Sequence, residues 1–216
     1  MRRNKRWVLG LGLVGLLAFT GTAQAVPIFE GRLADNTAST DCTALDTGGT
    51  TKCTSFYFTT LDITILNNWN IGRGVWDDAA AEGSAQAIAA SAGKDATGLD
   101  GWVLPTGDGD QAAGPLNQYL SIWNAVGGSL ANLQGQFDGV RSDDYWSGTE
   151  FAPNPGRAWL FSTDFGDQFF DVKFLALYAV AVRPGDVTAA VPEPGTLGLM
   201  LAALGAGAVV RRRRSR

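Results

Sequence analysis

The 216-residue chain contains no histidine. That absence removes the side chain most often used as a general base near neutral pH and most often used as a transition-metal ligand. Cysteine is nearly absent too: Cys42 and Cys53 are the only two. Two thiols without histidine cannot make a four-ligand zinc site. No serine-hydrolase motif and no glycine loop of the phosphate-cradling type occurs anywhere. Basic residues are scarce, 17 against 21 acidic ones. What the chain has instead is acid, glycine, small polar residues and seven tryptophans.

The scarce basic residues are unevenly placed. Nine of the 17 lie at the ends: Arg2, Arg3, Lys5, Arg6, Arg211, Arg212, Arg213, Arg214 and Arg216. Between residues 26 and 190 only eight remain. Of the 21 acids only Glu193 lies outside that stretch, so 20 acids face eight cations and the passenger carries −12. Such a surface repels phosphate backbones, which excludes nucleic acid as a natural partner.

The basic ends flank apolar runs. Behind the first cluster, residues 7–19 are apolar and Ala23-Gln24-Ala25 forms a small-x-small site. This order predicts a secretory signal peptide, residues 1–25, cut by signal peptidase with Ala23 and Ala25 marking the site. At the other end Val191-Pro192-Glu193-Pro194 precedes a 15-residue apolar run, 196–210, and the arginines. The prolines stop any preceding element. The run is shorter than the roughly 20 residues of a comfortable span, and the arginines hold the end cytoplasmic. This order resembles the PEP-CTERM sorting signal of exosortase substrates in Gram-negative bacteria. The resemblance implies transient inner-membrane insertion through the C-terminal helix, processing by exosortase near Pro192–Pro194, and delivery to the cell surface or extracellular matrix.

In an exported chain Cys42 and Cys53 are expected to form a disulfide. Their spacing is not Cys-x-x-Cys, which argues against a redox pair. Residues 26–70 read as a polar leader holding that loop and then one or two strands, because Phe56, Phe58, Leu61, Ile63 and Ile65 alternate with polar neighbours. A helix is predicted over residues 76–92, with Asp77 and Asp78 in its first turn and Gly93 as its stop. A second follows Pro115, carrying Leu116, Leu120 and Trp123 on one stripe and ending at Gly127-Gly128. Strands are expected at 145–149, 158–163, 168–174 and 177–183, with a hairpin turn over 164–167. The fold class is therefore α+β, two helices with an antiparallel sheet. Residues 186–190 read as the linker to the sorting signal, 191–216.

Four fragments carry a second resemblance: Trp76-Asp77-Asp78-Ala79, Gly101-Trp102-Val103-Leu104-Pro105-Thr106, Asp144-Tyr145-Trp146-Ser147-Gly148-Thr149 and Tyr178-Ala179-Val180-Ala181-Val182-Arg183-Pro184. With Ala158-Trp159, they are similar to the domain family typified by the C-terminal domain of a bacterial collagen-like adhesin. The resemblance covers residues 71–185. It implies a C-type lectin-like, formylglycine-generating-enzyme-like fold and, for the adhesin, binding of sulfated polyanions. Val103 stands where the family has arginine and Gly148 where it has serine. At −12 the passenger is a poor partner for polyanions. Sulfatase-activating relatives use cysteines late in the domain, whereas both cysteines here are early.

Three functions remain. One is a non-catalytic lectin-like module that recognises exopolysaccharide in a biofilm or matrix. The second is a structural matrix protein without a ligand site, and the third is an exported enzyme; the reading favoured is no enzyme. The candidate ligand residues are Asp143, Asp144, Tyr145 and Trp146, which follow a polar loop and enter a strand. Trp102, Trp123 and Trp159 read as core. No cofactor is required; calcium is conceivable at Asp108 and Asp110, though Asp-Gly runs serve equally as turns. Deleting Pro192 to Pro194 is expected to leave the protein in the inner membrane. Fractionation that found the deletion at the surface would overturn this.

Overall fold

Residues 28–42, 53–76, 83–109 and 112–188 are described in a computed structural model of the chain. Both predicted ends, with Ala23, Ala25 and Val191–Pro194, lie outside them, as does the apolar run 196–210. Among the described residues no helix is long and apolar enough to cross a membrane.

Alternation in the predicted leader strands builds the first sheet. β1 (Phe29–Arg32) pairs with β2 (Ala38–Ser39) and β3 (Ser55–Phe58), and β3 pairs with β4 (Ile63–Leu66), all antiparallel. The register sets Phe29 beside Phe58 and Phe56 beside Ile65, so one face is apolar. Glu30, Arg32, Tyr57 and Thr64 share the other face, because side chains alternate along a strand. The apolar face packs on α2 (Gln118–Ala125) and α3 (Leu130–Gln136) through Tyr119, Ile122, Trp123 and Leu133. Burying each of these large side chains contributes roughly 1.5–3 kcal/mol.

The second sheet has the order β5-β9-β6-β7-β8. It comprises β5 (Arg73–Gly74), β6 (Asp144–Glu150), β7 (Arg157–Ser162), β8 (Asp167–Val172) and β9 (Leu177–Tyr178). Its centre is covered on both faces. Tyr145 and Phe161 join the first cluster; Trp146, Ala158 and Leu160 join a second with Trp76, Trp102 and α1 (Ala85–Thr97). The α+β class is thus observed, with three helices among the described residues rather than two.

Several expectations are corrected. The first helix lies later than residues 76–92, because Ser84 caps its start by accepting the Ala87 N–H. Asp77 and Asp78 lie outside the described residues. Gly93 is not its stop. It faces the Trp102 ring, where a Cβ would lie 2.1 Å from Cγ, and the left-handed Gly98 ends the helix instead. The short α3 was not foreseen, although Ser129 caps it by accepting the Asn132 N–H. The expected strand 177–183 is split. After β9 the chain crosses through the buried Ala179, Val180 and Ala181 to β10 (Val182–Pro184), which pairs with β4 in the first sheet. That sheet therefore joins residues on both sides of the expected boundary at 70. The expected linker also starts too early: Asp186 binds Arg32 and Val187 is buried.

The Cys42–Cys53 disulfide forms as expected. It lies across β1 at Gly31, where an added Cβ would meet Cys42 Sγ at 1.8 Å and Cys53 Sγ at 2.6 Å. Arg32 is only 1 % exposed, held by Asp186 at 2.7 and 2.6 Å and by Glu30 at 2.9 Å. Burial pushes the Asp186 carboxyl up, but bonds from Arg32 and the Thr188 N–H outweigh it and hold the carboxyl below its ordinary range.

Three outcomes follow. Replacing both cysteines by alanine should cost roughly 2–3 kcal/mol in urea unfolding by the loop-entropy model. Gly31→Ala should prevent the bond from closing, read as free thiol; a fully oxidised Gly31→Ala protein would contradict the close approach. Because the Asp186 carboxyl is depressed in the folded state, its contribution is present above the unfolded carboxylate range and is lost as pH falls through its folded value. Asp186→Asn should therefore cost about 2 kcal/mol at pH 7, and the gap to wild type should close below roughly pH 4. A gap that persists at low pH would refute the assignment.

Candidate ligand-binding face

The predicted surface cluster does not assemble as a surface. Asp143 and Asp144 are half-buried, but Tyr145 and Trp146 are fully buried. The reason is their place on β6, whose two neighbours are β7 and β9 and whose faces meet both clusters. The Tyr145 hydroxyl accepts the Arg141 N–H at 2.8 Å, and its pKa is pushed up to about 12, chiefly by burial. The Trp146 indole N–H donates to the carbonyls of Gly74 and Leu175. Neither ring is available for stacking on a ligand. Burial also raises the Asp144 carboxyl; the Ser162 hydroxyl opposes this, and Asp143, Asp164 and Asp171 add to it by repulsion.

Trp102 and Trp123 are core, as expected, but Trp159 is only partly buried. It belongs to a group of rings where the second sheet ends. Phe151 and Phe170 stack at 4.0 Å with their planes 10° apart, and Trp159 stands edge-on to both, at 5.2 and 5.6 Å. Arg157 places its guanidinium 5.5 Å from the Phe170 ring centre. Gly109 of the loop after Pro105 comes against this group: a Cβ on it would lie 2.1 Å from Trp159.

β8 explains why these rings are exposed. It is the last strand of its sheet, pairing only with β7. The register sets Phe170 beside Trp159 and Phe169 beside Leu160, so consecutive phenylalanines point to opposite faces. Both are exposed, as are Phe165 (76 %) before the strand and Phe174 (75 %) after it. Phe165 and Phe169 meet edge-on at 6.2 Å. Exposed apolar groups this concentrated mark interaction surfaces on folded proteins. Asp164, Asp167 and Asp171 lie among them in sequence, with Asp164 bonded to the Ser142 hydroxyl. The edge thus offers flat apolar rings with carboxylate acceptors between them. Sequence reasoning missed it. The available signal was Phe165, Phe169, Phe170 and Phe174 within ten residues of a hairpin too short to cover them all.

Of the two weak calcium candidates, Asp108 sits half-buried in the loop against Trp159 and Asp110 lies outside the described residues. Among the described residues no group of three or more acidic or thiol ligands could hold a metal ion.

No curated protein matches the chain. Residues 190–214 match the PEP-CTERM protein-sorting motif. The chain therefore carries the signal of a protein exported to the cell envelope or surface and processed by exosortase.

Proposed function

We propose that the exported passenger is a non-catalytic module that binds exopolysaccharide through the aromatic edge at β8. The observation that carries the reading is the run of exposed rings, Phe165, Phe169, Phe170 and Phe174, beside the Trp159–Phe151–Phe170 group. Rings of this kind stack on the apolar faces of sugars, and neighbouring carboxylates accept hydroxyl hydrogen bonds. The net charge of −12 between residues 26 and 190 favours a neutral polymer over a sulfated one. In this reading the fold is lectin-like, which the α+β layout supports. A signal peptide at residues 1–25 starts export, and residues 196–210 pause in the inner membrane before exosortase acts. The chelator arm of the test below asks whether calcium bridges carboxylates and sugar hydroxyls.

The test is retention of the processed protein on extracellular polysaccharides, with and without a chelator. Trp159→Ala and Phe170→Ala are each expected to weaken retention about tenfold, the scale of one lost stacking contact. Their melting temperatures should stay near wild type. Trp146→Ala should instead destabilise the protein by about 3–5 kcal/mol. Retention unaffected by both edge substitutions would refute the site. No retention on any polysaccharide would favour the structural matrix reading.

A further inference from the structure

The last described residues form a strap. From β10 the chain turns back over the polar face of the first sheet. The Gly185 N–H donates to the Asp62 carbonyl, and the Gly185 carbonyl accepts the Thr64 hydroxyl, both at 2.8 Å. Asp186 receives both bonds from Arg32, and the Thr188 N–H closes on the same carboxylate at 3.1 Å. Val187 is 1 % exposed and packs in the second cluster. The Arg32 guanidinium is buried on a face of the sheet that this strap covers.

The sorting motif match begins at residue 190. Only three residues separate Thr188 from Pro192, so the four steps between them span at most about 14 Å of extended chain. An enzyme that processes a tail must seat an extended segment around the bond it attacks. Access to such a segment is set by the burial and hydrogen bonding of the backbone beside it. Here that backbone is fixed through Thr188.

We infer that residues 185–188 are a latch that couples processing of the sorting tail to local opening of the folded domain. With Arg32 and Asp186 paired, the chain is fixed through Thr188, two residues before the motif match begins. When the pair opens, four more residues come free and the motif gains about 14 Å of reach. The inference rests on processing at the motif and is independent of any ligand at β8.

The test follows tail loss of the full chain by pulse–chase in cells that process it. Inserting about eight Gly and Ser residues between Thr188 and Ala189, roughly 27 Å of chain, should speed the loss. Asp186→Asn should speed it too, and should add nothing once the insertion is present. In the processed protein, Asp186→Asn should raise amide exchange at Gly185 and Thr188 about tenfold, as one charge-assisted bond implies. In wild type, Gly185 and Thr188 should already exchange faster than β6 and β7, through an opening smaller than global unfolding. The latch is overturned by an insertion without effect, by effects of the two changes that multiply, or by wild-type exchange at Gly185 and Thr188 that is no faster than in β6 and β7.

Discussion

A guanidinium taken out of water is expensive, and Arg32 is almost wholly out of it. The cost of an unanswered buried charge is several kcal/mol. The chain answers it with a residue 154 positions away, Asp186, and with Glu30 on the same strand. This pairing ties the first strand of the fold to its last described turn. β10 sits beside β4, and from there the strap lies over the polar face. The sheet switch between β9 and β10 delivers the chain to that position. Ala179 and Ala181 are small and Val180 is wholly buried, so the crossing passes between the two clusters without displacing either.

The two sheets are built on different terms. The first is amphipathic in the ordinary way, with rings and branched aliphatics inward and Glu30, Tyr57 and Thr64 outward. The second is buried on both faces at β6 and is left half-covered at β8. A six-residue edge strand with two exposed phenylalanines invites pairing with another chain. Asp167 and Asp171 stand on that strand, and like charges disfavour a second copy laid along it. A neutral sugar polymer meets no such repulsion. The same acids that discourage self-association thus leave the rings open to an uncharged ligand.

How much of this was legible depended on whether the signal was local. Alternation at Phe56, Phe58, Ile63 and Ile65 identified β3 and β4, and the cysteine pair identified the loop closure. Helix bounds were less visible. Gly93 has the composition of a stop, but its lack of a side chain serves contact with Trp102, 9 residues on. The sheet switch was illegible because Leu177 to Val182 is a continuous apolar run in either case. The ligand candidates failed for a related reason. Asp144-Tyr145-Trp146 follows a polar loop, as a surface cluster would, but burial is decided by the strands paired on either side. Of the residues on which the expected resemblance to the adhesin domain rests, Trp102, Trp146, Ala158 and Val182 are buried, whereas Val103 is exposed. The buried ones speak to packing, and ligand identity lies elsewhere.

That division bears on how the passenger and the tail relate. Packing fixes the chain up to Thr188, and the sorting motif begins two residues later. A domain that needed independence from its signal would place a long polar linker there. This one instead uses the last residues before the motif to neutralise its most buried charge. Before the strap closes, Arg32 keeps Glu30 but lacks its second carboxylate, and the polar face stays wet. Once it closes, the reach of the tail is set by the fold. The residues that complete the structure are therefore the ones that immediately precede the sorting signal in the chain.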